Sequence, residues 1–191
     1  MQDFVAYAHA NPGRLNVANS GTATSNQIGM VEVAARTGIE VAHVPFRSSA
    51  EGVTALLGGQ VDALAGDSTW APLVASGQLR ALSVWSERRM AGLPAVPTLL
   101  DLGYGMVFST AYGVSGPRGL PPEVVRVLHD AFRAALLHLA NAAVRARFDM
   151  PEEYLDGAAY TASIAERVGR ERELVSRLGL RLDDYMFSPT V

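Results

Sequence analysis

The feature that most restricts the fold of this chain lies between residues 15 and 85, where four short apolar runs alternate with three segments of helical spacing. The apolar runs cover residues 15–18, 39–44, 61–65 and 79–85. Ile28, Val31 and Ala35 mark the first helical segment, closed by Gly38; Val53, Leu56 and Leu57 mark the second, closed by Gly58-Gly59. The third carries Pro72 in its first turn and stops at Ser76-Gly77. Ser48-Ser49-Ala50-Glu51 has the form of a capping box ahead of the second helix. Strands joined through single helices by short connections specify crossovers, so the expected class is α/β with a largely parallel sheet. Ligands of such sheets bind beyond the carboxyl ends of the strands. Here those ends run into residues 20–25, 46–49 and 66–69, three polar loops expected to converge on one rim.

The first loop carries the most chemistry. Val17-Ala18-Asn19 breaks into Ser20-Gly21-Thr22-Ala23-Thr24-Ser25-Asn26 before helical spacing resumes at Ile28. Gly21 opens backbone angles closed to other residues, and Thr22, Thr24, Ser25 and Asn26 can each cap the first helical turn. The orphan N–H groups of that turn, the helix dipole and the hydroxyls can together hold a carboxylate or phosphate without Lys or Arg. An ordinary capped helix uses the same residues, and context has to decide between the two.

Other chemistries find less support. The turn lacks the Lys of a nucleotide P-loop and the three-glycine spacing of a dinucleotide turn, so nucleotide binding is not expected. Ser20 or Ser25 with His43 as base is the best serine-hydrolase constellation available, but there is no G-x-S-x-G and no catalysis is expected. His9, His129 and His138 have no metal-type spacing to acidic partners; neither a metal nor a cofactor is expected. Asp67, at the loop rim after an apolar strand, suits either ligand contact or capping of the next helix. Trp70 and Trp85 read as core, and Glu152-Glu153 and Arg170-Glu171-Arg172-Glu173 as solvated helix faces.

Outside the alternating region the chain changes character. Phe4, Tyr7 and Ala8 recur at helical spacing until Asn11-Pro12-Gly13. Residues 88–98 are an irregular, proline-interrupted connection in which Thr98 is placed to cap a short helix over 99–102, and residues 107–114 read as extended. Beyond residue 122 the pattern is helical only, with one run over 123–148, broken near Asn141, and another over 158–178. With 191 residues and 49% hydrophobic content the chain can bury a sizeable core. A net charge of −3 with scattered Arg residues argues against nucleic acid as a partner. The absence of cysteine excludes disulfides and thiolate metal sites, and no apolar run is long enough to span a bilayer.

Seven blocks, in order, carry a family resemblance. They are Asn11-Pro12-Gly13-Arg14-Leu15-Asn16, Ser20-Gly21-Thr22-Ala23-Thr24-Ser25, His43-Val44-Pro45-Phe46-Arg47, Leu57-Gly58-Gly59-Gln60-Val61-Asp62, Gly77-Gln78-Leu79-Arg80-Ala81-Leu82-Ser83-Val84, Leu93-Pro94-Ala95-Val96-Pro97-Thr98 and Tyr112-Gly113-Val114. Together they resemble the substrate-binding proteins of tripartite tricarboxylate transporters, the Bug family, from about residue 4 to about residue 180. The resemblance implies a non-enzymatic periplasmic receptor of the type II periplasmic-binding-protein fold. Such a receptor closes on a small carboxylate, whether a dicarboxylate, a tricarboxylate or an aromatic acid, and presents it to membrane permease subunits. It further implies that Ser20, Gly21, Thr22, Ala23, Thr24 and Ser25 form a carboxylate-binding loop and that Phe46, Arg47, Ser48, Asp67 and Ser68 line the cleft.

By the same resemblance residues 1–13 lead in from lobe one, 14–110 form lobe two, and 111–191 return to lobe one through a strand near Thr110 and Tyr112. The chain departs from the pattern at Ala23, where the family has Gly, at Thr24, where it has Ser, and at Phe46-Arg47-Ser48, where Tyr-Lys-Gly is common. Family members also carry a signal peptide and the first half of lobe one, with a Gly-rich loop as the opposite wall of the site, ahead of the part matched here. On that reading the chain is a truncated receptor that binds carboxylates weakly or not at all. Its C-terminal helices would expose an apolar face through which copies could associate. A stand-alone regulatory or sensory ligand-binding domain is the alternative, ahead of a serine hydrolase.

Overall fold

β1 (Asn16–Asn19) is the central strand of a three-stranded sheet of order β2-β1-β3, flanked by β2 (Ala42–Pro45) and β3 (Ala63–Ala65), with both pairings parallel. The computed structural model describes residues 1–109 and 112–177. α1 (Gln2–Ala10) precedes the sheet, α2 (Ser25–Thr37) joins β1 to β2, and α3 (Ser49–Leu57) joins β2 to β3. A 3-10 turn (Ser68–Trp70) and α4 (Ala71–Ala75) follow β3, and α5 (Pro122–Leu137), α6 (Leu139–Arg147) and α7 (Gly157–Arg177) come last.

The period-two alternation of β1 sorts its side chains into two cores. Val17 enters a cluster with Ala8, Leu15, Met30, Val33, Ile39, Leu99 and Met106, so α1 and α2 cover one face of the sheet. Ala18 points the other way and packs with Ala55 and Val61 under α3. Both faces of the sheet are thus covered, the arrangement parallel strands require. The level register Asn19↔Pro45 and Asn19↔Ala65 brings the carboxyl ends of all three strands to one edge.

Local chemistry fixes the helix ends as their residue types dictate. Thr24 caps α2, its Oγ1 accepting from the Gln27 N–H at 3.4 Å, and Gly38 closes the helix in the left-handed region at φ 69°. Ser48 Oγ accepts from the Glu51 N–H at 3.2 Å, while the Glu51 carboxylate reaches past the cap to accept from the Arg47 N–H at 3.1 Å. His138 separates α5 from α6, three residues before the break expected near Asn141, and its Nδ1 accepts from the Ala140 N–H.

Two expected elements form differently. Residues 79–85 do not become a fourth ladder strand: within them only Val84 makes a bridge, to Thr98. An apolar run becomes a strand only where a neighbour completes its ladder, and here the backbone bonds go to scattered partners: the Val84 N–H donates to Pro97 O, Val84 O accepts from the Leu99 N–H, Trp85 O accepts from the Phe108 N–H and the Leu79 N–H donates to Leu73 O. The helix expected over 99–102 is a single turn, closed by reciprocal bonds between Thr98 and Asp101 of 3.0 Å each. The strand expected near Thr110 falls partly outside the described residues, as does the end of the last helix at Leu178.

Candidate functional site

The edge where the three strands end carries the hydroxyl turn. Gly21 has φ 111° and Ala23 φ 57°, so the chain doubles back before α2 begins. Thr24 Oγ1 donates to Gly21 O at 3.1 Å while accepting the cap bond, and the Gln27 side chain folds back to accept from the Ala23 N–H at 2.7 Å. Asn26 Nδ2 donates to Ser20 Oγ at 3.1 Å, which leaves the Ser20 proton free to be donated elsewhere. The first helical backbone bond is that of the Ile28 N–H to Thr24 O, so the N–H groups of Ser25 and Asn26 lie ahead of it and need acceptors from outside the helix. The turn residues 20–26 are all half-buried. This is a half-buried set of donors backed by a helix dipole, a combination suited to an anion.

The neighbouring loops stand at the same edge. The Phe46 N–H donates to Asn19 O at 2.9 Å, extending the β1–β2 pairing into the second loop. The Phe46 ring packs toward the α3 core and Gly52, and Arg47 is exposed. Asp67 Oδ1 accepts from the Thr69 N–H and from Thr69 Oγ1, capping the 3-10 turn that contains Ser68. Asp67 also faces Tyr112: partial desolvation, then the Asp67 charge, raises the Tyr112 hydroxyl above its ordinary value.

His43 belongs to the wall behind the turn. Its Nδ1 pairs with Asn19 Nδ2 at 3.2 Å, and burial lowers its pKa from the ordinary imidazole value. Ser20 is bonded to Asn26 and Ser25 to Glu171, so the serine–histidine pairing that a hydrolase needs does not form. Asn19 is fully buried with its Oδ1 unpaired, directly before Ser20.

The expectation that Glu171 lies on a solvated face is overturned. Ser25 Oγ donates to Glu171 Oε1 at 3.0 Å, linking positions 146 residues apart. One and two turns further along α7, Leu174 is buried and Arg177 donates to the buried Glu32 carboxylate of α2 at 2.6 Å, which also accepts from Arg36 at 2.6 Å. A charged cavity of about 530 Å³ lies alongside, lined by Arg36, Arg167, Arg170, Glu171 and the segment 105–109. Glu152 likewise pairs across to Arg145 at the end of α6. Sequence reasoning missed Asn19, Gln27 and Glu171. A polar residue ending an apolar strand was a usable signal for Asn19; nothing local distinguished Glu171 from its charged neighbours.

A parallel sheet with polar, helix-starting turns at the carboxyl ends of its strands defines a ligand-binding α/β protein. The sequence matches the tripartite tricarboxylate transporter family receptor over residues 1–180, and the chain belongs to that family. It is 40% identical over 180 residues to the UPF0065 protein in the gbd 5′ region of Cupriavidus necator, covering 94% of this chain and 55% of that protein. A solved TctC solute-binding protein from Polaromonas is 27% identical with a TM-score of 0.69, over 92% of this chain and 61% of the other. R. palustris Rpa4515, solved with adipate, shares the fold at TM-score 0.83 and 22% identity, over 94% of this chain and 60% of the other. The family is one of receptors, and the Polaromonas neighbour is a solute-binding protein. The chain spans about half the length of the curated relative. No described helix is long and apolar enough to cross a membrane.

Proposed function

We propose that this chain is the ligand-recognising part of a periplasmic receptor for a small carboxylate, delivering it to the permease of a tripartite transporter. The observation that carries the reading is the hydroxyl turn: Ser20, Thr22 and the N–H groups of Ser25 and Asn26 stand together, half-buried, at the carboxyl edge of the sheet. A carboxylate placed there accepts several charge-assisted hydrogen bonds and gains from the dipole of α2. Phe46, Arg47, Ser48, Asp67 and Ser68 shape the rest of the cleft in this reading, with Asp67 and Tyr112 setting its far limit. Residues 14–110 then form one lobe, and 1–13 with 111–191 contribute to the other. Adipate in a structural neighbour supports a carboxylate as the ligand class.

Calorimetric titration with acetate, succinate, adipate, citrate and benzoate tests the proposal. Binding of at least one of them, weakened about tenfold or more in both Thr22→Val and Ser20→Ala, is the expected result, since a hydrogen bond to a charged group contributes about 1.5–3 kcal/mol. Affinities unchanged in both variants would remove the turn as the site.

A further inference from the structure

We propose that α7 carries a tethered competitor of the ligand, with the Glu171 carboxylate holding the place on the hydroxyl turn that an incoming carboxylate must take. This rests on the receptor reading above and assigns a regulatory contact to the same site. The contact already has the chemistry of a bound ligand: Ser25 Oγ, at the first residue of α2, donates to a carboxylate oxygen of Glu171 at 3.0 Å. Charge brought to a helix start from a distant element does there what a ligand carboxylate would do.

Glu171 is not placed by chance collision of two flexible side chains. It stands three residues before the buried Leu174 and six before Arg177, so one stripe of α7 lies along α2. The stripe ends in an ion pair with Glu32, seven residues beyond Ser25 on α2. Two anchors therefore fix the height of Glu171 opposite the turn. The device is also reversible. Arg167 lies four residues before Glu171 on α7 and lines the same 530 Å³ cavity, so a displaced Glu171 carboxylate has a cationic partner on its own helix. Two arrangements of similar energy are what a population-shift switch needs.

Linkage then requires that ligand binding and α7 docking oppose one another. The test uses the intact chain and the five carboxylates named above. In Glu171→Gln the charge is lost but the shape is kept, and Glu171→Ala removes the side chain as a check that does not depend on the amide. Arg177→Gln weakens the anchor without touching the turn. The expected result is about tenfold tighter carboxylate binding in Glu171→Gln and Glu171→Ala, and a smaller gain in Arg177→Gln, as expected when a tethered group at millimolar effective concentration is removed. Hydrogen exchange of α7 amides should accelerate when ligand is added to the unaltered chain.

Equal affinity in the unaltered chain and Glu171→Gln, with binding still lost in Thr22→Val, would overturn the competitor while leaving the receptor reading in place. Weaker binding in Glu171→Gln, or slower α7 exchange on adding ligand, would overturn it in favour of α7 closing onto the ligand. Binding of no carboxylate by any of the four chains would remove the receptor reading and the competitor with it.

Discussion

Ala23 holds φ 57° at the crown of the hydroxyl turn, a conformation that sets its Cβ against the neighbouring carbonyl at about 1–2 kcal/mol. Ala23→Gly removes that strain but frees the unfolded chain by about 0.5–1 kcal/mol. The expected outcome is a net gain of roughly 0.5 kcal/mol, seen as a raised denaturation midpoint at constant m value. Thr24→Val acts in the opposite sense. It loses the α2 cap and the bond to Gly21 O, and should cost about 1 kcal/mol with a matching fall in Tm. His43 adds a pH dependence whose sign follows from burial. Its folded pKa lies below the unfolded value, so below about pH 6.5 the unfolded chain binds the extra proton more readily. Stability from this group is complete above that pH and declines as pH falls toward the folded pKa; urea melts of His43→Asn should lack this slope while keeping the acid loss due to carboxylates. At this scale the sequence showed which residues could cap but not which one would: four candidates competed in residues 22–26, and the Gln27–Ala23 bond that selects Thr24 needs the folded turn to exist.

Helix glycines are expected to be weak points, yet two of them in this fold are spacers. A Cβ on Gly29 of α2 would lie 2.7 Å from Trp85 Cζ3 and 3.1 Å from Phe108 Cδ1. Helix propensity favours Gly29→Ala by about 1 kcal/mol, but forcing apart an indole ring in a packed core costs about 1–3 kcal/mol, so the variant should be destabilised by roughly 1 kcal/mol. Gly52 of α3 would meet the terminal methyl of Leu64 at 2.9 Å, a group that can rotate away. Gly52→Ala should therefore be close to neutral, and paired thermal melts of the two variants check the contrast. The alternating elements were legible because each strand and helix through β3 carries its own periodicity and stop signal. The segment 79–85 was misread because Trp85 packs against α2 and Val84 is buried without a ladder, and periodicity reports burial without reporting a ladder partner. The face of α7 that turns to Ser25 was invisible for a related reason: a charged stretch at helical spacing looks the same whether it meets solvent or another helix.

Across the whole molecule, burial is divided unequally between the sheet region and the final helices. β1 contributes Val17, Ala18 and Asn19 to the interior, and α2 contributes Gln27, Ile28, Gly29, Met30, Glu32 and Val33. α5 and α6 contribute no fully buried residue, and α5 exposes Val125, Val127, Leu128 and Phe132. The apolar face expected on the C-terminal helices is thus present on α5, while α7 buries Leu174. Helices held by few buried contacts open with small free energies, independently of the unit that holds the core. Amides of α5 and α6 should accordingly exchange orders of magnitude faster than those of β1 and α2, with protection of β1 approaching the global unfolding free energy. A dye that reports apolar surface should bind the native chain, and Val127→Glu with Phe132→Glu should reduce that binding without lowering the stability of the sheet region. Uniform protection across all helices would contradict the division, because it would require α5 and α6 to unfold only together with a core to which they add no buried side chain.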